Sequence, residues 1–146
     1  MKIQSLLIAV AISIASCQTQ EQKQIDTLEK EVMMIHDAVM PKMGELVALQ
    51  STLTKHIAYT DSLLKITPSD TSLQNTLKQS NMLATDLKKA DDGMMNWMHQ
   101  YKGDSLKKLP PKEAIQALTN EKIKIEQVSD DMLKSIEDAQ QLLKKQ

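Results

Sequence analysis

Four side chains in two short runs have the donor chemistry of a soft-metal site. His36 and Met40 stand in Ile35-His-Asp-Ala-Val-Met-Pro-Lys-Met43, while Met95 and His99 stand in Met94-Met-Asn-Trp-Met-His99. Met33, Met43 and Met98 are close by. Thioether sulfur and imidazole nitrogen suit Cu(I), and Asp37 is placed either to orient the His36 ring behind a metal or to serve as a plain surface acid. Two other readings use the same residues. Methionines are flexible enough to fill the space around a bent helix and a large indole. They also line adaptable surfaces, so Met33, Met43, Met94, Trp97, Met98 and Tyr101 could form a groove for an apolar partner, with Trp97 and Tyr101 as anchors. Alternatively, both rings sit in the core with their polar tips at the surface. His56, Asp91 and Asp92 read as boundary or solvated residues.

Helices must position these groups. Ile25, Leu28, Val32, Ile35, Val39, Met43, Leu46, Leu53, Ile57 and Leu64 recur in steps of three and four or their multiples, which makes one apolar stripe on a helix. Pro41 falls inside that stripe, removes one backbone hydrogen bond and predicts a kink near residues 37 to 41. A second helix is expected to open at Thr67-Pro68-Ser69-Asp70, with Thr67 as N-cap and proline at the first helical position, and to end at Gly103. Leu73, Leu77, Leu83, Leu87, Ala90, Met94, Trp97, Met98 and Tyr101 form its stripe. After a linker from Asp104 to Leu109, Pro110-Pro111 opens a third helix with Ile115, Leu118, Ile125, Val128, Met132, Ile136 and Leu143 inward. Three inward stripes joined by short turns predict an all-α protein, an antiparallel three-helix bundle running up, down and up.

The register of the first hairpin bears on the donor clusters. With its turn centred near residues 67 and 68, His36 lies level with His99 and Met40 with Met95. At about 100° per residue, His36, Met40 and Met33 fall on one flank of their stripe, and Met95 and His99 fall on the corresponding flank of theirs. Met34 points away. If helix three packs on the opposite side, these flanks line a groove between helices one and two; on the same side it separates them.

Composition narrows the function classes. The chain of 146 residues has a net charge of −1, and all 18 of its basic residues are lysines. Bidentate arginine contacts to phosphate or guanine are therefore absent, and three aromatic residues make poor base-stacking platforms, which argues against nucleic acid. No phosphate-loop, dinucleotide-binding, nucleophile-elbow, paired-cysteine or His-Glu-x-x-His pattern occurs, so no enzymatic activity is expected.

The N-terminus carries an address. Residues 1–16 begin with Lys2 and continue as an apolar run shorter than the roughly 20 residues that span a bilayer, the form of a signal peptide. Its end, Ile14-Ala15-Ser16-Cys17, resembles the lipobox of bacterial lipoproteins, although the pattern prefers Leu where Ile14 stands and Gly or Ala where Ser16 stands. Cys17 is the sole cysteine and has no intramolecular disulfide partner. The resemblance implies a lipidated Cys17 as the new first residue, and Gln18, which is not the aspartate of inner-membrane retention, implies an outer-membrane protein. The polar stretch to Gln24 lacks a dense acidic run, which favours the periplasmic face. Residues 17–24 read as anchor and tether and 25–146 as the bundle.

The mature part, with its Ile35–Met43 and Trp97–Tyr101 runs, resembles small helical envelope lipoproteins, some labelled viral A-type inclusion protein. That resemblance implies one unit containing both clusters and supplies no activity. The expectation is a membrane-anchored helical lipoprotein acting as a non-enzymatic binding or structural module, with an envelope protein as a possible partner. The alternative is a periplasmic Cu(I)-binding protein that uses His36, Met40, Met95 and His99.

Overall fold

The computed structural model describes residues 2–144, with side chains described from residue 20 onward. The described residues are helical with no strand: α1 (Lys2–Val39), α2 (Met43–Ile66), α3 (Thr71–Gln100), the one-turn α4 (Gly103–Leu106) and α5 (Pro111–Lys144). Cys17, expected from sequence to be lipidated, and its neighbours lie outside the residues whose side chains are described. The polar segment expected as a tether continues α1, where Gln22 Nε2 donates to Asp26 Oδ1 at 3.0 Å. Glutamine, glutamate and lysine are good helix formers even without packing, and burial begins at Ile25.

The expected single kinked helix is instead two helices. Pro41 offers no N–H to the Asp37 carbonyl, and residues Met40–Lys42 tighten into a 3-10 turn in which the Met43 N–H donates to the Met40 carbonyl. Helix α2 then starts at Met43 without a side-chain cap.

The start of α3 also differs from expectation. Asp70, not Thr67, is its cap: Asp70 Oδ1 accepts from the Ser72 and Leu73 N–H groups at 2.9 and 3.1 Å, and its carbonyl accepts from the Gln74 N–H at 3.0 Å. Thr67 closes α2 instead, donating from both its N–H and its hydroxyl to the Leu63 carbonyl. Aspartate wins because its carboxylate reaches two amide donors at once and complements the positive end of the helix. Asp70→Ala is expected to destabilise the fold by about 1 kcal/mol, read as a lower urea midpoint with an unchanged slope.

The core repeats every seven residues. On α1 and α2 the buried positions are Ile25, Val32, Val39, Leu46, Leu53 and Thr60, a series that holds its phase through the 3-10 turn. Along α3, Ser80, Leu87 and Met94 alternate with Leu83, Ala90 and Trp97; α5 buries Leu118, Ile125, Met132 and Ala139 alongside Ala114, Ser135 and Leu142. A mean step of 3.5 is the period of left-handed coiled-coil packing. Leu28, Ile35, Met43, Ile57 and Leu64, expected in the stripe, are only half-buried because they flank this seam. The buried hydroxyls keep to their own helices: Thr60 donates to the His56 carbonyl at 2.9 Å, Ser80 to Thr76 at 2.8 Å and Ser135 to Met132 at 3.0 Å.

The chain forms two compact units, Met1–Met34 with Tyr101–Lys124 and Ile35–Gln100 with Ile125–Gln146. In the first, Ile25, Ala114 and Leu118 form a core against which Leu28, Leu106 and Ile115 pack, and Lys122 Nζ meets Glu31 Oε2 at 2.8 Å. In the second, α2 packs on α3 across the short turn, Gln140 of α5 donates to Glu45, and Gly93 faces Val128.

Candidate functional site

In the second unit the two donor-bearing runs do meet, but through a ring pair. The His36 ring lies 5.6 Å from that of Trp97, tilted by 34°. His36 keeps 16% of its side-chain surface exposed, while its Nδ1 stands 2.9 Å from Asp37 Oδ1. An ionised carboxylate only accepts, so Nδ1 carries the proton and Nε2 is the ring's lone-pair nitrogen in the neutral form. Asp37 makes this contact from the surface, its own side chain 71% exposed.

Trp97 takes its place from the seven-residue repeat: it is 6% exposed, and Met94, one turn before it, is fully buried. Met95 and His99 flank Trp97 by two residues on either side, about 200° around α3. Both are exposed, Met95 by 43%. Met40, in the 3-10 turn, is half-buried, as are Met43 and Met98. The four candidate copper donors thus fall into two settings, with His36 and Met40 at the margin of the core and Met95 and His99 on the outer side of α3. Among the described residues no three His, Cys, Asp or Glu side chains gather where they could hold a metal ion. Met34, expected to point away, is 59% exposed.

The remaining groove candidates, Met33 and Tyr101, belong to the first unit. There they line an open cleft with Glu29 and residues 102–105. Its shape comes from a close approach: a Cβ on Gly103 would lie 2.7 Å from the Tyr101 hydroxyl and 3.0 Å from Cζ, so glycine lets the ring fold over the start of α4. Lys107 fastens α4 to α1, its Nζ 2.7 Å from Glu29 Oε1 and 3.5 Å from Asp104 Oδ1. Burial pushes the Tyr101 hydroxyl above the usual phenol range, with the Glu29 carboxylate adding to the effect; the hydrogen bond to Glu29 raises the Lys107 ammonium. A cleft with a thioether, a phenol ring and a carboxylate margin can take an apolar side chain with a polar end.

Sequence reasoning took Gly103 only as the end of the second helix and passed over Glu29 and Lys107, the latter because residues 104–109 read as a linker. The available signal was Lys102-Gly103-Asp104-Ser105, glycine ahead of an acid and a hydroxyl residue, a composition that starts turns. In the second unit a furrow of about 260 Å³ runs between Ala90 and Ser135. Two of the three carboxylates on its rim are paired, Asp138 with Lys134 at 2.8 Å and Asp86 with Lys89 at 3.6 Å, and Asp131 accepts from Gln127 at 2.9 Å.

Comparison with protein-family models, curated proteins and solved structures finds no match. The functional reading therefore rests on the chain's own residues.

Proposed function

We propose that the protein is a lipoprotein of the cell envelope, held on the outer membrane by acylated Cys17, facing the periplasm, and acting as a non-enzymatic binding or structural module. The lipobox run Ile14-Ala15-Ser16-Cys17 supports the anchor, and no helix among the described residues is long and apolar enough to cross a membrane. Several acyl chains, each methylene contributing about 0.8 kcal/mol on burial, would hold the chain to a bilayer. We read residues 25–146 as an antiparallel three-helix bundle running up, down and up, its first arm interrupted at Pro41. The short α2–α3 turn and the Glu45–Gln140 hydrogen bond favour that arrangement.

The observation that carries the binding role is the cleft beside Tyr101, where Met33 and the phenol ring are presented at an open surface. An apolar segment of an envelope protein is the partner it suits. The anchor is tested by the mass of the processed N-terminus and by membrane fractionation of Cys17→Ala. We expect an acylated native chain and a variant that leaves the membrane fraction. A native chain without acyl mass, together with a variant still on the membrane, would sink the reading.

A second reading, Cu(I) binding by His36, Met40, Met95 and His99, is favoured by the Asp37 contact, which presents Nε2 of His36 as the lone-pair nitrogen. Under it, competitive Cu(I) titration gives one-to-one binding that His36→Ala with His99→Ala abolishes. An equally folded double variant that titrates like the native protein removes copper from consideration.

A further inference from the structure

The stretch from the end of α3 to the start of α5 carries a charge bias that the helix cores do not use. Residues 101–113 hold Lys102, Lys107, Lys108 and Lys112 against Asp104 and Glu113, a local excess of two positive charges on a chain whose total is −1. Lys107 is committed to Glu29 and Asp104. Lys102, Lys108 and Lys112 are exposed and hold no ion pair among the described residues. Between them Leu109, which precedes Pro110-Pro111, keeps 38% of its surface in the open. Lys102 lines the cleft beside Met33, so Lys108 and Lys112, on either side of this leucine in sequence, are left to form a surface suited to lipid headgroups, with charge on phosphate and a leucine at the acyl boundary.

The fold fixes where this turn lies along α1. Leu106 packs on the cluster of Ile25, Ala114 and Leu118, and Glu31 meets Lys122 at an offset of 91 residues. Two helices running side by side in the same direction at that offset bring Lys112 level with Glu21. Four residues of helix, about 6 Å of rise, separate that level from Cys17. Lys108 and Leu109 fall in the turn that opens α5 at Pro111, the end of that helix beside Glu21.

We propose that the 108–112 turn docks on anionic phospholipid beside the anchor, so that the protein meets its membrane at two points and does not swing freely from one. This rests on the reading of Cys17 as the lipidated residue, whose acyl chains place the bilayer at that end of α1. Membrane, and not an acidic protein, is the favoured partner because Lys112 lies at the level of the anchor and Lys108 stands in the turn just before it.

The test follows lysine acylation by a water-soluble reagent, read by peptide mass spectrometry. Mature protein is reconstituted into phosphatidylcholine vesicles with and without phosphatidylglycerol, at low and high salt. Labelling of Lys108 and Lys112 should fall roughly five-fold on the anionic vesicles and recover at high salt, while Lys65 and Lys134, on the other unit, label alike throughout. Equal rates at Lys108 and Lys112 on both vesicle types would overturn the proposal and leave the turn to an acidic protein partner. The mass of Cys17 on the same sample separates the two claims. An acylated chain with equal rates keeps the anchor and loses the docking turn, whereas protection on an unacylated chain keeps the docking turn and loses the anchor.

Discussion

Leu87→Ala is expected to lower the unfolding free energy by about 3 kcal/mol, measured by urea denaturation. Leu87 is fully buried, and Leu83, Ala90 and Met94 carry the same seam on α3. The cost has two parts, the lost transfer of the side chain out of water and the cavity left where the surrounding helices relax only in part. A control lies one residue further on: Lys88 is exposed and its bond is to Asp92 on the same helix at 2.8 Å, so Lys88→Ala should cost a few tenths of a kcal/mol at most. If the two variants were equally destabilised, the seven-residue repeat would not be the frame of the fold.

Trp97→Ala is expected to be costlier still, about 4 kcal/mol. The indole is the largest side chain in the seam and also the partner of the His36 ring. His36→Ala should cost less, because that ring sits at the margin of the core and keeps part of its surface in water. The pair can be separated from the packing by a double-mutant cycle, in which the coupling between His36 and Trp97 should come to about 1 kcal/mol. A coupling of zero would mean that the rings are neighbours without being partners, and would return the conjunction of the two runs to simple space filling. Both variants can be followed in Cu(I) competition as well, since a metal held through His36 would report the loss of its orientation independently of stability.

Much of this arrangement is legible in the chain. Helical class follows from the three- and four-residue spacing of Ile25, Leu28, Val32, Ile35 and Val39, and the interruption at Pro41 follows from a missing N–H. Other features are hidden for physical reasons. Thr60, Ser80 and Ser135 occupy core positions although their hydroxyls mark them as polar, because each donates back to its own helix and so enters the core already satisfied. Ala114 and Ala139 are too small to stand out in an apolar pattern, yet both are fully buried. The cap of α3 went to Asp70 over Thr67 by hydrogen-bond reach, which composition alone does not rank.

The donor clusters show the same division. Hairpin register placed the two runs at one level, and His36 does reach α3 there. What register could not supply is the rotation of α3, which the seven-residue repeat settles by turning Trp97 inward. Met95 and His99, two residues away on each side, are turned outward by the same rotation. The contact between Asp37 and His36 needs a rotamer, and the cleft beside Tyr101 needs a glycine to admit a ring; neither is written in spacing.

The unbroken phase of the repeat across Met40–Lys42 bears on how such a chain tolerates changes in length. Removing or adding one residue within α2 would rotate everything beyond it by about 100° and swing Leu46, Leu53 and Thr60 off the seam together. Removing seven in register from α2, with a matching seven from α3 packed on it, would shorten that hairpin by about 10 Å and leave its remaining buried side chains facing where they do now. Length is therefore a quantity this hairpin can change only in whole repeats and in both its helices at once, while single substitutions on the outer faces leave it untouched.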